Sequence, residues 1–156
     1  MSEIPILELR RIEVNVIKPI YEEMALEIGH EKAEKILGAA IEKAAIEQGK
    51  SLAEESEGGP SLRAFISLFE RWKMGGALEV EVLKETDEQF DFNVTRCRYA
   101  ETYKEMGLGK IGHLLSCGRD GSFCKGYDPN IELDRGQTIM QGATHCDFRY
   151  RVKKTS

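Results

Sequence analysis

The sequence predicts an α+β fold in which N-terminal helices pack on one face of a mostly antiparallel sheet. Apolar residues recur every three or four positions as far as Gly76, and from Ala77 onward they mostly alternate with polar ones. Strands follow one another instead of alternating strictly with helices, which is typical of α+β folds. Because 156 residues is the length of one domain, we expect a single domain over 1–156, mainly helical over 1–76, with the sheet and the site over 77–156.

The first predicted helix runs from Glu8 to Ile28. Its apolar positions, at helical spacing, are Leu9, Ile12, Val16, Ile17, Ile20, Met24 and Ile28. Pro19 lies inside this pattern and is expected either to kink the helix or to start a second one. Gly29 is expected to end it.

Two further helices are predicted, separated by the Gly- and Pro-containing loop at 56–60. The second helix is expected to end just before Gly49, and its small alanines favour close packing against a neighbour. Its stripe is Ala33, Ile36, Leu37, Ala40, Ile41 and Ala44. The third helix is expected to end at Gly75-Gly76, and its stripe is Leu62, Phe65, Ile66, Phe69 and Trp72.

Beyond Ala77 the period of two predicts a hairpin whose strands are joined through 85–88. Its apolar positions are Leu78, Val80 and Val82 on one strand and Phe90, Phe92 and Val94 on the other. Cys97 has the opposite parity and is expected on the polar face if the strand continues without a bulge.

Short helices and two more strands complete the predicted fold. The helices are expected around Tyr99, Tyr103 and Met106 and over Lys110 to Cys117. The strands are marked by Ile131 and Leu133 and by Cys146, Phe148, Tyr150 and Val152.

Charge and hydropathy exclude several classes of protein. A net charge of −5, from 27 acids and 22 bases, argues against nucleic-acid binding. No apolar stretch has the length of a membrane span, and the N-terminus lacks a signal-peptide pattern, so we expect a cytoplasmic protein without a membrane partner. Residues 96–156 nevertheless hold 11 bases and 7 acids. This local excess favours a small anion such as a carboxylate, or else it only keeps a surface solvated.

The four cysteines, Cys97, Cys117, Cys124 and Cys146, contain no C-x-x-C pair and are expected to be thiols. Cys146 shares the apolar face of the last strand, which also fits a buried packing residue. Cys117 stands at the end of a predicted helix beside charged residues, where a neighbouring cation can lower the pKa of a thiol.

A zinc site is an alternative use of the same residues. His113 and Cys117 are one helical turn apart, and Cys124 and His145 would complete a tetrahedral set.

Four runs follow one another in the C-terminal half: Cys97–Glu101, Leu115–Asp120, Asp134–Gly142 and Cys146–Tyr150. In order and spacing they resemble the L-2-amino-thiazoline-4-carboxylic acid hydrolase family, and the helical region near Gly29 is similar to the family's preceding region. The resemblance implies a hydrolase that acts on the carbon–nitrogen bonds of a cyclic amidine or amide. It would open a small amidine-like ring that bears a carboxylate to an N-carbamoyl product, without a cofactor.

The resemblance also implies which side chains form the site. The implied catalytic residues are Cys97, Cys117, Asp120 and Asp147, and the implied substrate contacts are Tyr99, Arg135, Thr138, His145 and Cys146. Either a carboxylate activates water or Cys117 attacks the ring directly.

The substrate contacts have an expected chemistry as well. The planar fork of Arg135 would hold the substrate carboxylate, unless it pairs with a neighbouring acid, and Thr138 would hydrogen-bond the ring amine. The expected partner is a small anionic heterocycle, and a homo-oligomer is left open. The second hypothesis is a small-molecule binding or sensor domain that performs no chemistry.

Overall fold

The computed structural model describes residues 4–153. The helices of this part are α1 (Ile6–Ile28), α2 (His30–Glu55), α3 (Leu62–Lys73), α4 (Arg98–Glu105) and α5 (Gly118–Tyr127). The strands are β1 (Leu78–Glu85), β2 (Gln89–Cys97), β3 (Ile131–Asp134) and β4 (Cys146–Val152). They form one antiparallel sheet in the order β1-β2-β4-β3. The predicted α+β class is confirmed. No helix in 4–153 is long and apolar enough to cross a membrane.

Helix α3 packs on the sheet through the face that the sequence predicts. Ser61 caps the helix, because its side chain accepts a hydrogen bond from the backbone N–H of Ala64. The rings of Phe65 and Phe69 lie 4.8 Å from those of Tyr150 and Phe92, respectively. These aromatic contacts join the helix to β2 and β4 in one buried core.

The prediction that the second helix ends before Gly49 is wrong. Helix α2 continues to Glu55, and Gly49 is buried inside it. A Cβ on Gly49 would lie 2.3 Å from the backbone oxygen of Phe123, and one on Gly126 would lie 1.9 Å from that of Ile46. The two glycines therefore let α2 and α5 cross with their backbones in contact.

Helix α1 buries a different stripe from the predicted one and runs on through Pro19. Its buried residues are Ile6, Arg10, Val14 and Tyr21. Ile12, Val16 and Ile20, which were expected in the core, are 52%, 60% and 55% exposed. Both sets of residues have helical spacing. The buried set includes the charged Arg10, so a pattern of apolar residues alone does not reveal it.

A bulge in β2 reverses the predicted orientation of Cys97. Val94 pairs with Val80, whereas Cys97 pairs with Leu78, so β2 has one extra residue between the two pairs. Cys97 therefore joins the apolar face, and its expected place on the polar face is wrong. Strand β1 is an edge strand, and Val82, expected on the apolar face, is 48% exposed.

The predicted helix over 110–117 is a short π-helical turn, His113–Cys117, that continues directly into α5. Gly118 keeps right-handed helical dihedral angles (φ −66°, ψ −17°), so it does not end the helix. Cys117 and Asp120 consequently lie at the N-terminal end of α5 and not at the end of a helix, as the sequence suggested.

Candidate functional site

A partly open cavity of about 80 Å³ lies between the sheet and the helices. Most of its wall is aromatic or aliphatic, with residues such as Phe65, Trp72 and Phe148. Its polar lining consists of Arg10, Gln48, Cys97, Ser116, Cys117, Arg119, Asp120 and Cys146. A water molecule needs about 15 Å³ measured in this way, so the cavity has room for water beside these groups.

Three of the four thiols line this cavity. The bulge in β2 directs Cys97 into it, where its sulfur also accepts a hydrogen bond from the backbone N–H of Ala100 at 3.4 Å and caps α4. The sulfur of Cys146 accepts from the backbone N–H of Ile139 at 3.2 Å. Cys117 lines it from the last position of the π-helical turn, directly before α5. Of the four predicted catalytic residues, Cys97, Cys117 and Asp120 line this cavity, whereas Asp147 does not.

The thiols of the cavity are held in their protonated form. Burial raises the pKa of Cys97 to about 11 and also raises that of Cys146. It raises the pKa of Cys117 as well, and the nearby carboxylate of Asp120 acts in the same direction. Arg135 lowers the pKa of Cys117 by less than these two effects raise it. The expected lowering of that pKa by a neighbouring cation is wrong.

Asp120, unlike the thiols, changes its protonation state near neutral pH. Burial raises its pKa to about 6, although Arg135, Arg10 and Arg119 all act to lower it. The carboxyl lines the cavity and accepts a 2.6 Å hydrogen bond at Oδ2 from Arg135. Such a group can serve as an acid or a base toward a molecule in the cavity.

Arg135, the donor to this carboxyl, is not among the residues that line the cavity. Its second guanidinium nitrogen donates to the backbone oxygen of Cys117 at 3.1 Å. Its guanidinium group lies 5.1 Å above the ring of Phe148. Arg135 therefore pairs with an acid, Asp120, which was the alternative that the sequence left open.

Two cavity arginines were missed by the sequence analysis. Arg10 is 5% exposed and donates to Glu13 Oε1 at 2.9 Å. Arg119 donates to Glu13 Oε2 at 3.4 Å and, through Nε, to the backbone oxygen of Leu115 at 2.8 Å. Arg10 lies four residues after Ile6 on the buried stripe of α1, and that spacing was the signal available in the sequence.

Asp147, Thr138 and His145 shape the loop before β4 and do not line the cavity. Asp147 Oδ1 accepts hydrogen bonds from two backbone N–H groups of the loop, at 2.9 and 2.8 Å. Thr138 caps the turn Ile139–Gln141. His145 contacts the side-chain amide of Gln137. Tyr99 does line the cavity, and its hydroxyl donates to the backbone oxygen of Trp72 at 3.0 Å.

The zinc alternative has no assembled site in the part of the chain that the structure describes. Over residues 4–153, no three His, Cys, Asp or Glu side chains are grouped so that they could hold a metal ion. His113, Cys117, Cys124 and His145 therefore do not form the predicted tetrahedral set.

A second, open depression of about 640 Å³ adjoins the cavity on the surface. Lys104 and Lys110 line it, and it shares Cys97 and Met140 with the cavity, so the two spaces meet at these two residues. An apolar cavity that holds benzene measures about 150 Å³, so a ring that enters the smaller space here displaces part of its wall. Met140 is the flexible side chain of that wall.

Comparison with known proteins connects the chain to one family and one fold. The family model described as L-2-amino-thiazoline-4-carboxylic acid hydrolase matches residues 9–150. No curated protein matches the chain. One similar solved structure is the phenol-responsive sensory domain of the transcription activator PoxR, solved with phenol. Its sequence identity is 12% and its TM-score 0.54, and the match covers 88% of this chain and 73% of that one. This likeness is one of fold.

Proposed function

We propose that this chain, which belongs to the L-2-amino-thiazoline-4-carboxylic acid hydrolase family, hydrolyses a small cyclic amidine that bears a carboxylate. The substrate class is that of a 2-amino-thiazoline carboxylate, and the product carries an N-carbamoyl group and a free thiol. Family membership supports the class of reaction, and a cavity that a small ring can enter once part of its wall moves supports a small substrate.

The observation that carries the proposal is the position and the pKa of Asp120. Its carboxyl lines a cavity with room for water, and its pKa of about 6 leaves it mostly ionised at pH 7. A carboxylate with a pKa near the working pH is suited to take a proton from water and to return it within the same reaction. Arg135 fixes the direction of this carboxyl through Oδ2.

The chemical steps need only water and this carboxyl. Asp120 accepts a proton from water while the water oxygen bonds to the ring carbon between nitrogen and sulfur, and it passes that proton to the amidine nitrogen. Water has then added across the carbon–nitrogen double bond. The carbon–sulfur bond breaks with its electron pair on sulfur, and the hydroxyl proton moves to the thiolate as the carbonyl forms. No cofactor enters this scheme.

Water is a better candidate for the nucleophile than Cys117. A thiol attacks as thiolate, and burial together with the Asp120 carboxylate keeps the pKa of Cys117 above its ordinary value. At neutral pH the anionic group in the cavity wall is therefore Asp120 and not one of the thiols.

The second candidate function is a sensor or binding domain without chemistry. The mostly apolar cavity wall and the similar fold of a phenol-responsive sensory domain favour it. Both functions require a small ring in the cavity, and only the hydrolase requires Asp120 to exchange a proton.

The test is to incubate the purified protein with 2-amino-thiazoline-4-carboxylate and to follow the release of thiol with Ellman's reagent. We expect one thiol per substrate molecule, a rate that falls as the pH drops below about 6, and no turnover by Asp120→Asn. Asp134→Asn, which changes an exposed acid on β3, is the matched control. Ligand-induced stabilisation without thiol release at any pH would exclude the hydrolase and favour the sensor.

A further inference from the structure

Charged groups beside the cavity are not balanced by one another. Within residues 4–153, the guanidinium groups of Arg10, Arg119 and Arg135 pair with two carboxylates, those of Glu13 and Asp120. All three arginines act electrostatically on Asp120, which places them in one charge cluster. The cluster therefore retains one positive charge beside the mostly apolar cavity, where an unpaired charge is costly.

The three arginines have different access to the cavity. Arg135 does not line the cavity, and its two terminal nitrogens donate to Asp120 and to a backbone oxygen. Arg10 and Arg119 line the cavity, and Arg10 is 95% buried while doing so. Both are fixed by the one carboxylate of Glu13, which does not line the cavity and is 39% exposed. Two cavity-lining guanidinium groups thus share a single counter-charge.

We propose that Arg10 and Arg119 together bind the carboxylate of a monoanionic ring that occupies the cavity. This inference rests on the proposed function and gives its substrate a defined orientation. A carboxylate placed against the pair neutralises the remaining charge and accepts hydrogen bonds from planar forks that match its two oxygens. The reacting end of the ring is then directed toward Asp120.

The assignment has a consequence for specificity. A neutral ring compound, such as a phenol or a ring that bears a carboxamide, leaves the positive charge unpaired. A ring that bears one carboxylate neutralises this charge. We therefore expect the cavity to distinguish a carboxylate from the amide of the same shape, and this distinction does not depend on turnover.

The experiment measures binding of pyrrole-2-carboxylate and pyrrole-2-carboxamide by calorimetry, with the melting temperature as a second readout. These probes lack the thiazoline ring, so the result does not depend on the hydrolase reaction. We expect the protein to bind the carboxylate at least about tenfold more tightly, as hydrogen bonds to charged groups imply. Equal affinity for the two probes would overturn the inference, whether or not the protein hydrolyses a thiazoline.

Variants of two neighbouring residues on α1 test whether Arg10 is responsible for the preference for the carboxylate. Arg10→Gln should lose about tenfold in carboxylate affinity and keep its carboxamide affinity. Arg11→Gln is the matched control, because Arg11 is half-exposed and pairs with Glu8 on the surface. An equal loss in both variants would assign the effect to the general charge of α1 and overturn the inference.

Glu13→Gln keeps the test decisive if Arg10→Gln fails to fold. It leaves both guanidinium groups in place and removes the counter-charge that they share. Carboxylate affinity should then rise several-fold with little change for the carboxamide. An unchanged or lower carboxylate affinity in a folded Glu13→Gln protein would contradict the proposal.

Discussion

Replacing Asp120 by asparagine should stabilise the protein at neutral pH while it abolishes turnover. The pKa of Asp120 rises from its ordinary value of 3.8 to about 6 in the folded chain. A difference of roughly two pKa units corresponds to about 3 kcal/mol by which the folded state disfavours the charged form. Asparagine resembles the protonated carboxyl in shape and charge, so the variant escapes this penalty.

The sign of the effect sets its dependence on pH. Because the folded-state pKa is raised, the native protein binds more protons than the unfolded chain between about pH 4 and pH 6. The penalty is present above about pH 6 and disappears as the pH falls toward 4. Asp120→Asn should therefore exceed the parent by about 3 kcal/mol in its free energy of unfolding at pH 7, and by almost nothing near pH 4.

Urea unfolding at a series of pH values measures this difference directly. Asp134→Asn serves as the control, because the side chain is exposed and its removal should change the unfolding free energy by less than about 0.5 kcal/mol. The inference that folding buries an ionised Asp120 at a cost would be refuted if the variant were less stable than the parent at pH 7. It would also be refuted if the difference in unfolding free energy did not shrink on acidification.

Four further changes test the site and the packing. Cys117→Ser should keep most of its turnover, since water is the proposed nucleophile; loss of turnover at an unchanged melting temperature would identify Cys117 as the attacking group. Arg135→Lys should move the acid limb of the pH–rate profile to higher pH, because the lost fork no longer lowers the pKa of the cavity carboxyl. Gly126→Ala should cost at least about 2 kcal/mol of stability, whereas Gly121→Ala on the same helix, where a Cβ meets nothing within 4 Å, should be neutral or stabilising. Met140→Ala should speed the entry of a ring measured by stopped-flow, and an unchanged rate would place the entrance elsewhere.

The residues of α3 and of the β1–β2 hairpin could be identified from sequence because their signals are local. Leu62, Phe65 and Phe69 have the spacing of one helix face, and that face is buried against the sheet. Phe90 and Phe92 alternate with polar neighbours, and both are buried. A period of 3.6 or of 2 follows from the geometry of the backbone, so it can be read without knowledge of the partner element.

The positions that the sequence misplaced depend on contacts between distant segments. Gly49 has the local appearance of a helix end, but its lack of a side chain serves the crossing of α5, which begins 69 residues later. The bulge that turns Cys97 inward is visible only in the pairing of β2 with β1. Such requirements are set by the partner, and no local period records them.

The sequence by itself predicted α1 to α4, the strands, the fold class and the family, since these follow from local patterns and from motif order, whereas α5 was not predicted. The tertiary structure alone decided which ionisable groups share the cavity and how they titrate. Arg10 and Asp120 are 110 positions apart, and only the fold places both at one cavity. The pKa of Asp120 is set by burial against opposing charges. Burial is a property of everything packed around a group, and for that reason the chemistry of the site could not be read from its own neighbours in the chain.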